Sequence, residues 1–154
     1  GNIDLGTTNN TGGVVMAGDG LLTLSAAGRL SVGADAVLYS EAKDSRIELS
    51  GGAISILGAL RAGASYDGTT QTTTWTGQSA AIDIRAGSGF TLGTSAIGAS
   101  LWATGRISIN GAPDASGVGI GVSAKSAIWS DATGQFNRAT ATWSEAAAGA
   151  DGLG

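Results

Sequence analysis

The side chains of this 154-residue chain with the widest chemical range are its carboxylates, nine aspartates and three glutamates, because histidine and cysteine are both absent. That absence removes thiol nucleophiles, disulfides, iron–sulfur clusters, most zinc sites and the usual general base at neutral pH. Sugar-cleaving chemistry needs two or three carboxylates gathered on one face. Glu48 and Asp83 stand at outward positions of short apolar-x-apolar triplets, but Ser108 occupies the place equivalent to Glu48. A pattern broken between equivalent positions suits a solvated surface. Calcium rolls need tandem GGxGxD nonapeptides so that aspartates recur on successive turns. Here GADAV around Asp35, GAPDASG around Asp114 and GADGLG around Asp151 are isolated and out of step. The glycines of GVGIGV (117–122) lack the strand-to-helix context of a nucleotide loop. We therefore expect no catalysis, no cofactor and no metal.

Asp67 and Asp131 are better placed, since both open a polar excursion: DGTTQ runs to TTTW ending at Trp75, and DATGQ to TATW ending at Trp143. A ligand-binding role and an Asx-type turn role are both open for them. Aromatics form a second group. Tyr39 and Tyr66 stand 27 residues apart, as do Trp102 and Trp129, while Trp75 and Trp143 close the excursions. Rings on neighbouring strands can overlap in a ladder. Such a ladder either packs beneath the excursions or presents a stripe to a carbohydrate or receptor. The candidate binding or assembly surface is thus Tyr66, Asp67, Trp75, Trp102, Trp129, Asp131 and Trp143, with neighbouring copies of the same filament or surface glycans as partners.

The elements that must carry these groups are strands. Apolar residues take first and third places in Ile3-Asp4-Leu5, Leu22-Thr23-Leu24, Leu30-Ser31-Val32, Ile47-Glu48-Leu49, Ile54-Ser55-Ile56, Ile82-Asp83-Ile84, Phe90-Thr91-Leu92 and Ile107-Ser108-Ile109. Period two buries one face of a strand and exposes the other, and the glycines, serines and aspartates between triplets suit corners. With 42% apolar and 13% charged residues the chain has ample core material and is not disordered. A net charge of −4 argues against nucleic acid. No stretch approaches 18 consecutive apolar residues, and because Gly1-Asn2-Ile3-Asp4-Leu5 has neither the basic nor the apolar region of a signal peptide, we expect any export signal to lie outside this chain.

The triplets belong to a longer register. Tyr39 and Trp102 are offset by 63 residues, and so are Tyr66 and Trp129, with Arg46-Ile47 answering Arg106-Ile107. We read copies at approximately 16–74 and 75–142 and a partial third at 143–154. Each copy holds six short strands, which suggests two three-sided coils whose triplets stack about 4.8 Å apart. The expectation is an all-β, right-handed parallel β-helix of about five coils over residues 1–154, with two loop or hairpin excursions, Asp67 to Trp75 and Asp131 to Trp143, projecting from equivalent corners.

The glycine-punctuated runs RIELSGGAISILGALRAG (46–63) and GRISINGAPDASG (105–117) resemble the shafts of filamentous-haemagglutinin-like bacterial adhesins exported by two-partner secretion. The resemblance implies a right-handed β-helix, a secreted or bacterial cell-surface location, an outer-membrane secretion partner, and a role in adhesion or biofilm contact. The chain lacks that family's amino-terminal secretion domain and starts and stops inside a repeat, so we expect an excerpt of a longer repeat protein. Two functions follow: a structural shaft segment without catalysis, or a glycan- or filament-binding module using the Trp-bearing excursions. Ice binding, suggested by TTQTTTW (69–75), would need Thr-x-Thr in every coil, and it does not recur.

Overall fold

A computed structural model describes residues 1–6, 14–16, 20–67, 69–70, 72–76, 79–109, 120–123 and 126–130. Among the described residues there is no helix. The first seven strands are β1 (Ile3–Leu5), β2 (Val14–Met16), β3 (Leu21–Ser25), β4 (Arg29–Val32), β5 (Val37–Ser40), β6 (Arg46–Ile56) and β7 (Ala59–Ala62). They are followed by β8 (Ala64–Asp67), β9 (Thr72–Trp75), β10 (Ala81–Leu92), β11 (Ser100–Ala103), β12 (Ile107–Ile109), β13 (Ile120–Val122) and β14 (Ala127–Ser130).

Twelve of these strands form two parallel sheets. A seven-stranded sheet runs β1-β4-β6-β10-β12, with β3 also paired to β6 and β13 to β10, and a five-stranded sheet runs β14-β11-β7-β5-β2. Equivalent residues fall into columns. One passes through Leu22, Ile47, Ile82 and Ile107. A second joins Ile3, Leu30, Ile54, Phe90 and Ile120. The third, in the smaller sheet, takes in Val14, Val37, Ala59, Ser100 and Ala127. The strands visit these columns in strict rotation along the chain, so every pair is parallel and separated by a long connection.

Alternation supplies the core. Leu30, Ile47, Ile56, Ile84, Phe90 and Leu92 from the larger sheet and Leu38, Leu60, Leu101 and Ile128 from the smaller one are fully buried and belong to one apolar cluster. The residues between them, Glu48, Ser55 and Asp83 among others, face outward. Apolar side chains thus stack upon apolar side chains from strand to strand, which is the arrangement that makes the register specific, since a one-residue slip would turn every one of them to solvent.

Corners stack as well. Leu57 N–H donates to Val32 O at 2.7 Å, Gly93 N–H to Ile56 O at 2.7 Å and Ser123 N–H to Leu92 O at 2.9 Å, so the same turn recurs on successive strands. Gly58 sits where a Cβ would strike the carbonyl oxygens of Ala36 and Gly33, a close backbone approach that glycine alone permits.

Two details differ from the three-sided expectation. The first and second triplets of a turn merge into single long strands, β6 of 11 and β10 of 12 residues, instead of being separated by corners. Gly51-Gly52 stands between the two triplets of β6, and opposite it β10 carries a register shift between Ala86 and Gly89. Glycines and a bulge let one strand carry both triplets, with Gly52, Gly87 and Ser88 left out of the register between β6 and β10. The 63-residue period is also not uniform. Steps along the Leu22 column are 25, 35 and 25 residues, because everything inserted after β7 lies between Ile47 and Ile82.

Candidate functional site

The insertion after β7 is a β-hairpin. Gly63, with φ of 84°, turns the chain out of the five-stranded sheet, a conformation that favours glycine. β8 and β9 then pair antiparallel, with Ala64 opposite Trp75 and Tyr66 opposite Thr73. Tyr, Thr and Trp fit a half-buried pleated surface, and the alternation in β9 leaves Thr72 and Thr74 exposed while Thr73 and Trp75 are half-buried. Its entry begins at Ala64, three residues before the expected start at Asp67.

Asp67 closes the turn. Its Oδ1 accepts N–H bonds from Thr69 at 2.8 Å and Thr70 at 3.4 Å. Those two donors hold the exposed carboxyl below its ordinary range, because they favour the ionised form. This is Asx-turn geometry. At the base of the hairpin Thr76 N–H donates to Gly63 O at 2.9 Å and Thr76 Oγ1 to Glu41 O at 2.6 Å, tying β9 back to the body.

One face of the hairpin lies on the outer face of the five-stranded sheet. The outward residues there are Val37 and Tyr39 on β5, Ala59 and Arg61 on β7, and Ser100 and Trp102 on β11. Tyr39 and Val37 are buried although they point away from the apolar cluster. The hairpin is what covers them. The Tyr66 ring sits 6.5 Å from Tyr39, tilted by 52°, and Trp75 stacks on Trp102 at 6.1 Å with planes 19° apart. The Arg61 guanidinium carbon lies 4.2 Å from the centre of the Trp102 ring, and its Nη1 donates to Leu60 O at 3.0 Å. Cation–π contacts of this kind contribute about 0.5–2 kcal/mol, more as water is excluded.

Between hairpin and sheet remains a cleft of about 480 Å³ lined by Val37, Ala59, Arg61, Tyr66, Thr72, Thr73 and Trp102. The Trp102 indole Nε1 is buried and has no hydrogen-bond partner among the described residues. Carboxylates do not gather here or elsewhere: among the described residues no three His, Cys, Asp or Glu side chains are placed to hold a metal ion. Glu48 and Asp83 lie side by side on β6 and β10, continuous with Thr23 and Ser108, and Glu48 accepts an ion-pair bond from Arg46 at 3.0 Å.

Of the residues singled out from sequence, Tyr66, Asp67, Trp75 and Trp102 are thus brought into one hairpin–sheet assembly. Trp129 is described through its backbone, which pairs with Trp102 on the next strand. Asp131 and Trp143 lie outside the described residues. The equivalence of Tyr66 with Trp129 does not hold. In the sheet, Trp129 follows a column through Tyr39, Arg61 and Trp102, whereas Tyr66 belongs to the hairpin. Equal spacings of 27 residues arise differently: Trp102 to Trp129 is one step between paired strands, and Tyr39 to Tyr66 is one step plus the entry into β8.

Arg61 is the site residue that sequence reading missed. Its signal was the recurring tetrapeptide Val37-Leu38-Tyr39-Ser40, Ala59-Leu60-Arg61-Ala62, Ser100-Leu101-Trp102-Ala103 and Ala127-Ile128-Trp129-Ser130, in which arginine takes the aromatic's place. No helix among the described residues is long and apolar enough to cross a membrane. Compared with models of known protein families, with curated proteins and with solved structures, the chain matches none.

Proposed function

We propose that the chain is a shaft segment of a secreted or surface-displayed bacterial filamentous adhesin, and that its two parallel sheets are the sides of a right-handed β-helix of about five coils. The single observation that supports this reading is the uninterrupted apolar column Ile3-Leu30-Ile54-Phe90-Ile120, which advances one strand at a time without reversing direction. A chain that always moves on to the next parallel strand builds length, and each added turn buries the apolar face of the one before. Five such levels rise about 24 Å at about 4.8 Å each. Repetition of core positions together with variation of the outward residues Thr23, Glu48, Asp83 and Ser108 suits a scaffold, because a reaction centre would need its groups held in one place.

Adhesion or biofilm contact, the cell-surface location and an outer-membrane secretion partner belong to the same proposal through the resemblance to filamentous-haemagglutinin-like shafts. Electron cryo-microscopy of the native assembly tests it. The expected result is a rod with an axial repeat of about 4.8 Å and the β8–β9 hairpin on its flank. A compact particle without that repeat would overturn the reading.

A further inference from the structure

We propose that a second copy of this chain docks on the outer face of the seven-stranded sheet, about a two-fold axis that runs along the groove between two of its outward columns. The contact involves that sheet's surface alone, so it stands or falls separately from the shaft reading.

The two columns are Thr23-Glu48-Asp83 and Ser25-Ser50-Arg85, each in register across β3, β6 and β10. The groove they flank has a volume of about 360 Å³. Thr23, Ser25 and Arg85 are exposed, and Glu48, Ser50 and Asp83 are half-buried.

Charge selects the occupant. On β6, Arg46 and Glu48 stand two residues apart on one face and close an ion pair at 3.0 Å. On β10, Asp83 and Arg85 share that offset and that face, yet neither side chain makes an ion pair or hydrogen bond among the described residues. Asp83 also stands in register beside Glu48, and neighbouring like charges repel. An arginine arriving from outside relieves that repulsion, and a carboxylate arriving from outside pairs with Arg85. One surface carries both groups, which is what an isologous contact requires.

Rotation about the groove sets Asp83 of each copy opposite Arg85 of the other, Glu48 opposite Ser50 and Thr23 opposite Ser25. No like charges meet. An axis along the acidic column would set carboxylate against carboxylate, and so would one running along the strands between Glu48 and Asp83. An axis between Arg46 and Glu48 would only exchange a pair that each copy already makes within itself.

The test is analytical ultracentrifugation of the 154-residue chain up to about 1 mM, a concentration that populates weak complexes. A dimer at low salt that dissociates as salt is raised is the expected result. Arg85→Glu and Asp83→Arg each put like charges into both symmetry-related contacts, and each should weaken association about tenfold or more. Mixing the two variants should restore it, because every contact between them is again of opposite sign. Thermal melts establish that each variant is folded. If either fails to fold, Arg85→Gln and Asp83→Asn remove the charges without reversing them and should weaken association about threefold. A chain that stays monomeric at the highest concentration in low salt overturns the proposal. So does a dimer that substitution at both positions leaves unchanged, or a mixture of the reversed variants that associates no better than either alone.

Discussion

Trp75 and Trp102 stack at a ring-centroid distance of 6.1 Å with their planes 19° apart, one on a hairpin strand and the other on the sheet beneath it. The contact joins β9 to β11, whereas Tyr66 against Tyr39 joins β8 to β5. A lone two-stranded ribbon is marginal in water, and these two ring pairs help to hold it down together with the Thr76 bonds to Gly63 O and Glu41 O.

Removing one anchor should therefore loosen the ribbon and spare the sheets. Trp75→Ala is expected to lose about 0.5–1.5 kcal/mol of pair energy besides the buried area. Amide hydrogen exchange should accelerate in β8 and β9 while β7 and β11 keep their protection. Equal acceleration in all four strands would contradict an independent hairpin.

The hairpin turn should respond to acid. Asp67 is held below its ordinary pKa by the Thr69 and Thr70 N–H groups, so its ionised form stabilises the folded turn. A lowered carboxylate contributes fully above its unfolded value and loses that contribution as pH falls through the folded one. Asp67→Ala should thus lower hairpin protection at neutral pH. The gap from the natural chain should close as pH drops below the carboxylate range, and a gap that stayed constant down to about pH 2 would count against this account.

Gly58 bears on the stacking of corners. Its added Cβ would meet the backbone oxygens of Ala36 and Gly33, neither of which can swing aside. Ala36 O accepts from Ala59 N–H at 3.0 Å, and Gly58 O accepts from Ser100 N–H at 3.0 Å, so displacement disturbs the ladder on both sides. Gly58→Ala is expected to cost about 1–3 kcal/mol in urea unfolding. Gly20→Ala, at a glycine with open space around it, serves as the control and should lie within about 0.5 kcal/mol.

Core and surface positions of one strand should separate cleanly. Phe90 is fully buried and its backbone pairs in register with Ile54 and Ile120, while Thr91 beside it is exposed. Phe90→Ala should cost about 3–5 kcal/mol. Thr91→Ala should change stability by no more than about 0.5 kcal/mol. Denaturant melts of the pair measure both.

What the sequence by itself determined is the strand class and most of the register. Period-two triplets such as Ile47-Glu48-Leu49 and Ile82-Asp83-Ile84 leave little choice of conformation or face, because both facts are local. Their pairing follows, since matching apolar positions is the way each buries its side chains. The 63-residue offset between Tyr39 and Trp102 likewise corresponds to two real steps, through Arg61.

Only the tertiary structure decided what stands on the outer face. Whether two triplets merge into one strand depends on pairing on either side of Gly51-Gly52, which no local pattern reports. The cleft exists because Gly63 swings Tyr66 and Trp75 back over residues from three other strands, and the partners of Arg61 and Trp102 come from that return. Spacing along the chain counts residues, and a hairpin adds residues without adding a level. That is why Tyr66 looked equivalent to Trp129, and why an arginine in an aromatic's place became legible as part of a site only once the strands were stacked.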